Sequence, residues 1–368
     1  MILERLSILN YKNIEQAELT LSPKINCFLG SNGMGKTNLL DAIYYLSFCK
    51  SHSNPIDSQN ILHEADFAVI QGWYELDNKQ EEFFCSLRRK QKKQFKKNKK
   101  EYERLSDHIG ALPLVMVSPS DTDLISGGSD ERRKFMDLFL SQFDKEYLHS
   151  LIRYNKALLQ RNALLKTGGF IDDTLLDLWD EQLTEEGKTL YKKRKDFIDK
   201  FIPIFQRFYD FICLSNEKVS LAYESHFENE DFLSLLKQRR EKDKILGYTT
   251  VGIHKDDLDM QMDGYSIKRV GSQGQNKTYV VALKLAQFDF LRKATSTTPI
   301  LLLDDIFDKL DSNRVEQIVK LVLDKDFGQI FITDTNREHL DEILSHTKSN
   351  YHLYQVEKGI VVQKNTAL

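Results

Sequence analysis

At 368 residues the chain is too long for one simple core, which predicts about two domains or lobes. With 41% hydrophobic and 29% charged residues and no uninterrupted apolar run long enough to span a bilayer, the composition is that of a soluble globular protein. The net charge of −3 argues against a surface coated in basic residues for nucleic acid, so any such binding must come from a local patch.

The start, MILERLSILNYKN, alternates like a strand and lacks the charged-then-apolar layout of a signal peptide, so a cytoplasmic protein is expected. Up to about residue 124 short β-like segments dominate (LSILNYKN, AELTLS, KINCFLG, FAVIQGWYEL, EEFFCSLRR, PLVMVS), with one helix predicted at about residues 36 to 48. From about 130 to 244 the period becomes helical. One run carries Phe135, Leu138, Phe139, Phe143, Tyr147, Leu151 and Leu158; a second, after a possible cap at Asp172 or Asp173, runs from Leu175 to Phe208. TGGFIDDT between them reads as the turn of an antiparallel helical hairpin, and the phenylalanines from Phe197 to Phe208 as its core. After residue 245 the αβ pattern returns, with a helix after GSQGQNKT, the strand PILLLDD, a helix from about Ser312, the strand QIFITDT and a final strand pair in YHLYQVEKGIVVQ. The fold class is α/β, one αβ domain interrupted by helices, with segments at 1–125, 126–250 and 251–368. Cys27, Cys49, Cys85 and Cys213 form no C-x-x-C pair and are expected to be buried free thiols.

Residues 30 to 37, GSNGMGKT, match G-x-x-x-x-G-K-[ST] between the apolar strand INCFL and the helix NLLDAIYYLSF. Its glycines let successive N–H groups of Gly30, Ser31, Asn32, Gly33, Met34 and Gly35, and the helix start at Asn38, face phosphate oxygens. Lys36 adds a charge toward the β and γ phosphates, and the Thr37 hydroxyl can ligate Mg²⁺. The competing reading is a glycine-rich turn that matches by chance. PILLLDDIF then supplies Asp304 and Asp305 at the tip of a strand fit to be buried on both faces. Two adjacent acids there are costly unless a cation or water receives them. Asp304 is the candidate magnesium residue, through water, and Asp305 the candidate to polarise the attacking water. A strand ending in solvent with acidic caps is the alternative. Among nine histidines no H-E-x-x-H spacing occurs, so ATP with Mg²⁺ is the only cofactor set expected.

The order of P-loop, insertion of about 230 residues, GSQGQNKT-helix, LLLDD, Leu310-Asp311 and ITDT resembles the ATP-binding-cassette class of ATPase heads. The resemblance implies that Ser272, Gln273 and Gly274 form a signature that binds the γ phosphate of a nucleotide held by the other subunit, with Asp311 also at the nucleotide. A head-to-tail, ATP-dependent homodimer follows, in which Ser272 joins Lys36, Asp304 and Asp305 as a catalytic residue. The insertion is too short for long coiled coils and carries no C-x-x-C hook. With LVMVSPSDTDLISGGSDERRKFMD and TVGIHKDDL added, the whole chain is similar to the RecF family of bacterial recombination mediators. That family implies an ABC-type P-loop ATPase head with a helical arm (lobe II) inserted, binding to double-stranded, gapped and single-stranded DNA, and mediator partners of the RecO/RecR type. The chain departs from the family in Lys12 for arginine and in GIHKDDL for GPHRDDL; like the family it lacks the transporter-type switch histidine, having Thr333 and Asp334 there. Asp305 replaces the glutamate usual among cassette ATPases, so hydrolysis well below about one turnover per second is expected, against an enzyme median of ~10 s⁻¹.

For DNA, residues 88 to 104, RRKQKKQFKKNKKEYER, concentrate basic charge in a sequence predicted to form a hairpin turning near Lys97-Asn98, with Lys92, Lys93, Lys96 and Lys97 as candidates. The alternative is a solvated hairpin whose lysines blunt a sheet edge. Arg132, Arg133 and Lys134 are a second candidate, weighed against structural pairing with Asp130 or Glu131. His254, Asp256 and Asp257 are read as a network near the signature or a plain turn. An energising subunit of a membrane transporter is the rival function.

Overall fold

The computed structural model describes residues 1–167, 173–214, 217–228, 231–308, 310–323, 327–336 and 351–364. The chain divides into two compact units, Met1–Asp121 with Gln287–Leu368, and Thr122–Ala286. The first begins with strands β1 (Ile2–Tyr11), β2 (Ile14–Thr20) and β3 (Ile25–Leu29), helix α1 (Lys36–Phe48), strands β4 (Phe67–Leu76), β5 (Lys79–Arg88), β6 (Gln94–Lys97) and β7 (Lys100–Glu101), a turn of helix α2 (Leu105–His108) and strand β8 (Leu114–Val117). The second holds helices α3 (Asp123–Ser126), α4 (Ser129–Ser141), α5 (Lys145–Leu165) and α6 (Asp173–Cys213), strand β9 (Val219–Glu224), helix α7 (Phe232–Leu246), strands β10 (Asp257–Met262) and β11 (Tyr265–Ser266), α8 (Ile267–Val270), and most of α9 (Gln273–Ala294), which runs on across the division. The chain then returns to the first unit through β12 (Ile300–Asp304), α10 (Ser312–Val322), β13 (Ile330–Asp334), β14 (Tyr351–Glu357) and β15 (Ile360–Lys364).

Two six-stranded sheets organise the first unit, β2-β1-β4-β5-β6-β7, antiparallel throughout, and β15-β14-β3-β13-β12-β8. In the second, β14, β3, β13, β12 and β8 run parallel. Every residue of β12, β13 and β8 is buried, as the uninterrupted apolar runs of those strands require. Helix α1 packs against strands of both sheets, which accounts for a helix that is buried on nearly every side. All parallel strands therefore deliver their C-terminal ends to one edge, where ligands bind in open α/β sheets. The four cysteines are buried free thiols. Of the hairpin expected over 88–104, β6 and β7 form a short one that turns at Asn98 and Lys99, both with positive φ, and β6 pairs on its other side with β5.

In the second unit α5 and α6 pack antiparallel, tied by Arg161 to Asp180, Arg153 to Glu186, and Arg194 to the Tyr147 hydroxyl. Phe197, Phe201, Phe205 and Phe208 are buried, so the aromatic stripe is core. The hairpin turn TGGFIDDT and the cap at Asp172 fall largely on 168–172, outside the described residues. Two features differ from the sequence reading. The first helical run is two helices, because the Asp144 carboxylate caps α5 by accepting the Tyr147 N–H at 2.8 Å. Within the stretch read as helical, VSLAYE is strand β9, paired antiparallel with β10 in a sheet ordered β11-β10-β9. That pairing, with Tyr279 Oη donating to the Ser220 carbonyl, is why 251–286 packs with the helices.

Candidate nucleotide site

The loop between β3 and α1 turns through Gly33 (φ 78°) and Gly35 (φ 112°), conformations that favour glycine. Ser31, Asn32 and Gly33 are exposed, and Gly30 is buried. Lys36 is buried at the start of α1, its Nζ donating to the carbonyls of Gly30 (2.8 Å) and Ser31 (3.3 Å) and lying 3.9 Å from Asp305 Oδ2. The ammonium thus lies inside the loop that is to receive phosphate.

The strand register builds the other wall. β12 and β13 pair Asp304 with Thr333, and β13 pairs Thr333 with Phe28 of β3, the strand that leads into the loop. Thr37 Oγ1 donates to the Asp304 carboxylate at 2.9 Å, and Thr333 Oγ1 donates to Asp304 Oδ1 at 2.7 Å. Burial pushes the Asp304 carboxyl above its ordinary pKa, against the pull of the two hydroxyls. One buried carboxylate with a hydroxyl beside it is an all-oxygen donor set of the kind Mg²⁺ takes, since that ion is usually held by one or two carboxylates and keeps several waters. Asp305 is part-exposed in the left-handed region (φ 44°), its N–H donating to the Thr333 carbonyl and hydroxyl. The sequence reading of residues 30–38, 304 and 305 thus falls on one edge of one sheet. It missed Thr333 as a partner of Asp304, and it missed Asn13, whose Oδ1 accepts from Asn38 Nδ2 at 2.7 Å. Asp311 caps α10, accepting the Arg314 N–H at 3.0 Å.

In the second unit Ser272 opens α9. Its Oγ accepts the Gln275 N–H (3.2 Å) while Gln275 Oε1 accepts the Ser272 N–H (2.9 Å), a reciprocal capping box. Gln275 Nε2 also donates to Glu217 Oε1, which tethers the helix start. Ser272 and Gln273 are exposed and Gly274 is half-buried. The S-x-x-Q spacing carried this signal, although the sequence reading did not use it.

The DNA candidates separate. Lys92 is exposed, and Lys96 lies 5.7 Å from the Phe84 ring centroid. Lys97 pairs with Glu81 at 3.3 Å, whereas Lys93 turns inward onto the Cys49 carbonyl (2.6 Å) and Asp57 (3.0 Å). Arg132 grips Asp257 with two hydrogen bonds of 2.5 and 2.9 Å, and Arg133 donates to the Asp256 carbonyl. The pairing expected with Asp130 or Glu131 is made by Lys134. Asp256 is itself buried against Arg194 and Tyr223. His254 Nδ1 meets the Tyr154 hydroxyl (2.9 Å) and Nε2 the Thr249 carbonyl (3.0 Å); burial lowers its pKa to about 4. His254, Asp256 and Asp257 thus each take separate partners within the second unit, around a short 3-10 turn at Ile253–Lys255.

A sequence model of the family described as RecF/RecN/SMC N terminal domain matches residues 2–362. The DNA replication and repair protein RecF of Bacteroides fragilis (strain YCH46) is 64% identical over 362 residues, 98% of each chain. A solved structure of the recombination mediator protein RecF-ATP in the RecFOR pathway superposes with a TM-score of 0.88 at 29% identity, covering 99% of this chain and 97% of that one. An Smc head bound to the C-winged helix domain of ScpA, at 15% identity and a TM-score of 0.60, shares the fold. The transporter reading gains no support from these relatives, and among the described residues no helix is long and apolar enough to cross a membrane. The chain belongs to the RecF/RecN/SMC N-terminal domain family and, within it, to the RecF DNA replication and repair proteins.

Proposed function

We propose that this protein is an ATP-dependent DNA clamp of recombinational repair. ATP with Mg²⁺ binds at residues 30–38, 304 and 305, two copies close head to tail on DNA, and slow hydrolysis reopens them. The observation that carries the reading is the row Thr37, Asp304 and Thr333 set beside the Lys36 ammonium at the C-terminal edge of a parallel sheet. In use, Lys36 exchanges its carbonyl partners for phosphate oxygens, and the loop N–H groups and the start of α1 receive the remaining negative charge. Thr37, and Asp304 through water, would hold the metal, which would supply positive charge to neutralise the phosphates. Asp305 orients the attacking water. The exposed Ser272 hydroxyl uses its lone pair on the cap and keeps its proton for the γ phosphate of the partner's nucleotide.

DNA binding then depends on nucleotide, and the relative solved with ATP, named in the RecFOR pathway, supports mediator partners of the RecO/RecR type. Sedimentation with ATP, with and without gapped duplex, tests the reading. The wild type should dimerise and carry DNA only with ATP, while Lys36→Met should stay monomeric and free of DNA. A Lys36→Met protein that dimerises and binds as the wild type does would overturn it.

A further inference from the structure

The phosphate loop is gripped from outside its own motif by two hairpin tips. β14 runs parallel to β3 as far as Gln355 opposite Leu29, so Val356 backs the first loop residue, and a Cβ on Gly30 would run into the Val356 carbonyl oxygen. The turn that follows, Lys358 (φ 47°) and Gly359 (φ 82°), holds the middle of the loop: the Gly359 N–H donates to the Met34 carbonyl at 2.8 Å and the Lys358 N–H to Met34 Sδ at 3.3 Å. The second tip is the β1–β2 turn. Asn13 Oδ1 accepts from Asn38 Nδ2, and the Asn13 amide group lies 2.8 Å from where a Cβ on Gly35 would stand. The tips touch each other, since a Cβ on Gly359 would strike the Asn13 carbonyl oxygen.

We infer that Asn13 and the Lys358–Gly359 turn form a positioning clamp that holds the phosphate-binding loop ready for nucleotide. A loop with glycines at 30, 33 and 35 loses much conformational freedom on ordering. Holding it before the ligand arrives moves that cost from binding to folding, which raises affinity without touching the chemical step. Residues from the two ends of the chain, 13 and 356–359, thereby set the affinity of a motif at 30–38. The inference rests on the ATP-binding reading above.

The test uses full-length wild type, Asn13→Ala, Gly359→Ala and, as a control, Gly264→Ala, whose turn has φ 80° and no neighbour within 4 Å of an added Cβ. Three quantities are read: affinity for a fluorescent ATP analogue, amide exchange of residues 30–38 without nucleotide, and melting temperature. The clamp predicts about tenfold weaker ATP binding for Asn13→Ala, and more for Gly359→Ala, with kcat at saturating ATP nearly unchanged. Exchange across 30–38 should quicken in both and stay at the wild-type rate in Gly264→Ala. Wild-type exchange in the loop of Asn13→Ala and Gly359→Ala overturns the clamp, as does wild-type ATP affinity in both. A wild-type protein that takes up no ATP overturns the function reading instead, while the exchange measurement still decides the clamp.

Discussion

Asp304 is where the chemistry of the site and the stability of the fold oppose each other. Burial raises its pKa, so the folded protein holds that proton more tightly than the unfolded chain, and the residue's contribution to stability falls as pH rises from about 3.9 through the raised folded value. Asp304→Asn keeps an oxygen for the Thr37 and Thr333 hydroxyls and removes the buried charge. The variant should melt at or above the wild-type temperature at pH 7, with the gap closing toward pH 4, while hydrolysis is lost; melting curves across pH and a phosphate-release assay check both parts. A variant several degrees less stable at neutral pH would show that the carboxylate is paired more favourably than its burial implies. Lys36, Thr37 and Asp304 were legible because each is fixed by local spacing, a P-loop or a polar end to an apolar strand. Thr333 and Asn13 were not, since Thr333 meets Asp304 through strand register and Asn13 meets Asn38 through the clamp, neither of which has a local signature.

At the scale of elements, the start of α9 is both a helix cap and a candidate ligand, which makes Ser272 variants ambiguous unless the two roles are split. Ser272→Ala loses the cap, typically about 1 kcal/mol, together with the hydroxyl. Ser272→Asp keeps a capping oxygen but sets a carboxylate where phosphate is to sit. It should melt like the wild type and bind ATP as a monomer, yet fail to dimerise in sedimentation with ATP; full dimerisation would remove Ser272 from the interface. The basic ribbon divides in the same way, because Lys93 is spent on Cys49 and Asp57. Charge reversal at Lys92, Lys96 and Lys97 should weaken DNA binding and lower the log–log salt slope by about 0.9 for each phosphate that is no longer neutralised. An unchanged slope would leave the lysines as guards of the sheet edge. Strand β9 shows why element type failed locally: six alternating residues embedded in a helical stretch declare themselves only through β10, more than thirty positions on.

On the scale of the molecule, a glycine loop with its acidic wall and a capped, exposed helix start lie in separate compact units, and we propose that they are two half-sites. The order of the two in sequence was readable, because strands and helices around each are strongly patterned; the packing of 251–286 with the helices was not, because it depends on a sheet that closes across the insertion. The central claim is that each half-site serves the other copy. Mixing Lys36→Met with Ser272→Asp tests it directly, since neither protein has an intact composite site alone, while a head-to-tail heterodimer has one. The account predicts negligible ATP hydrolysis by each variant and, on equimolar mixing, recovery of up to about half of the wild-type rate per chain, since neither variant pairs with itself and each heterodimer has one intact site of two. A mixture no more active than the separate variants would contradict it.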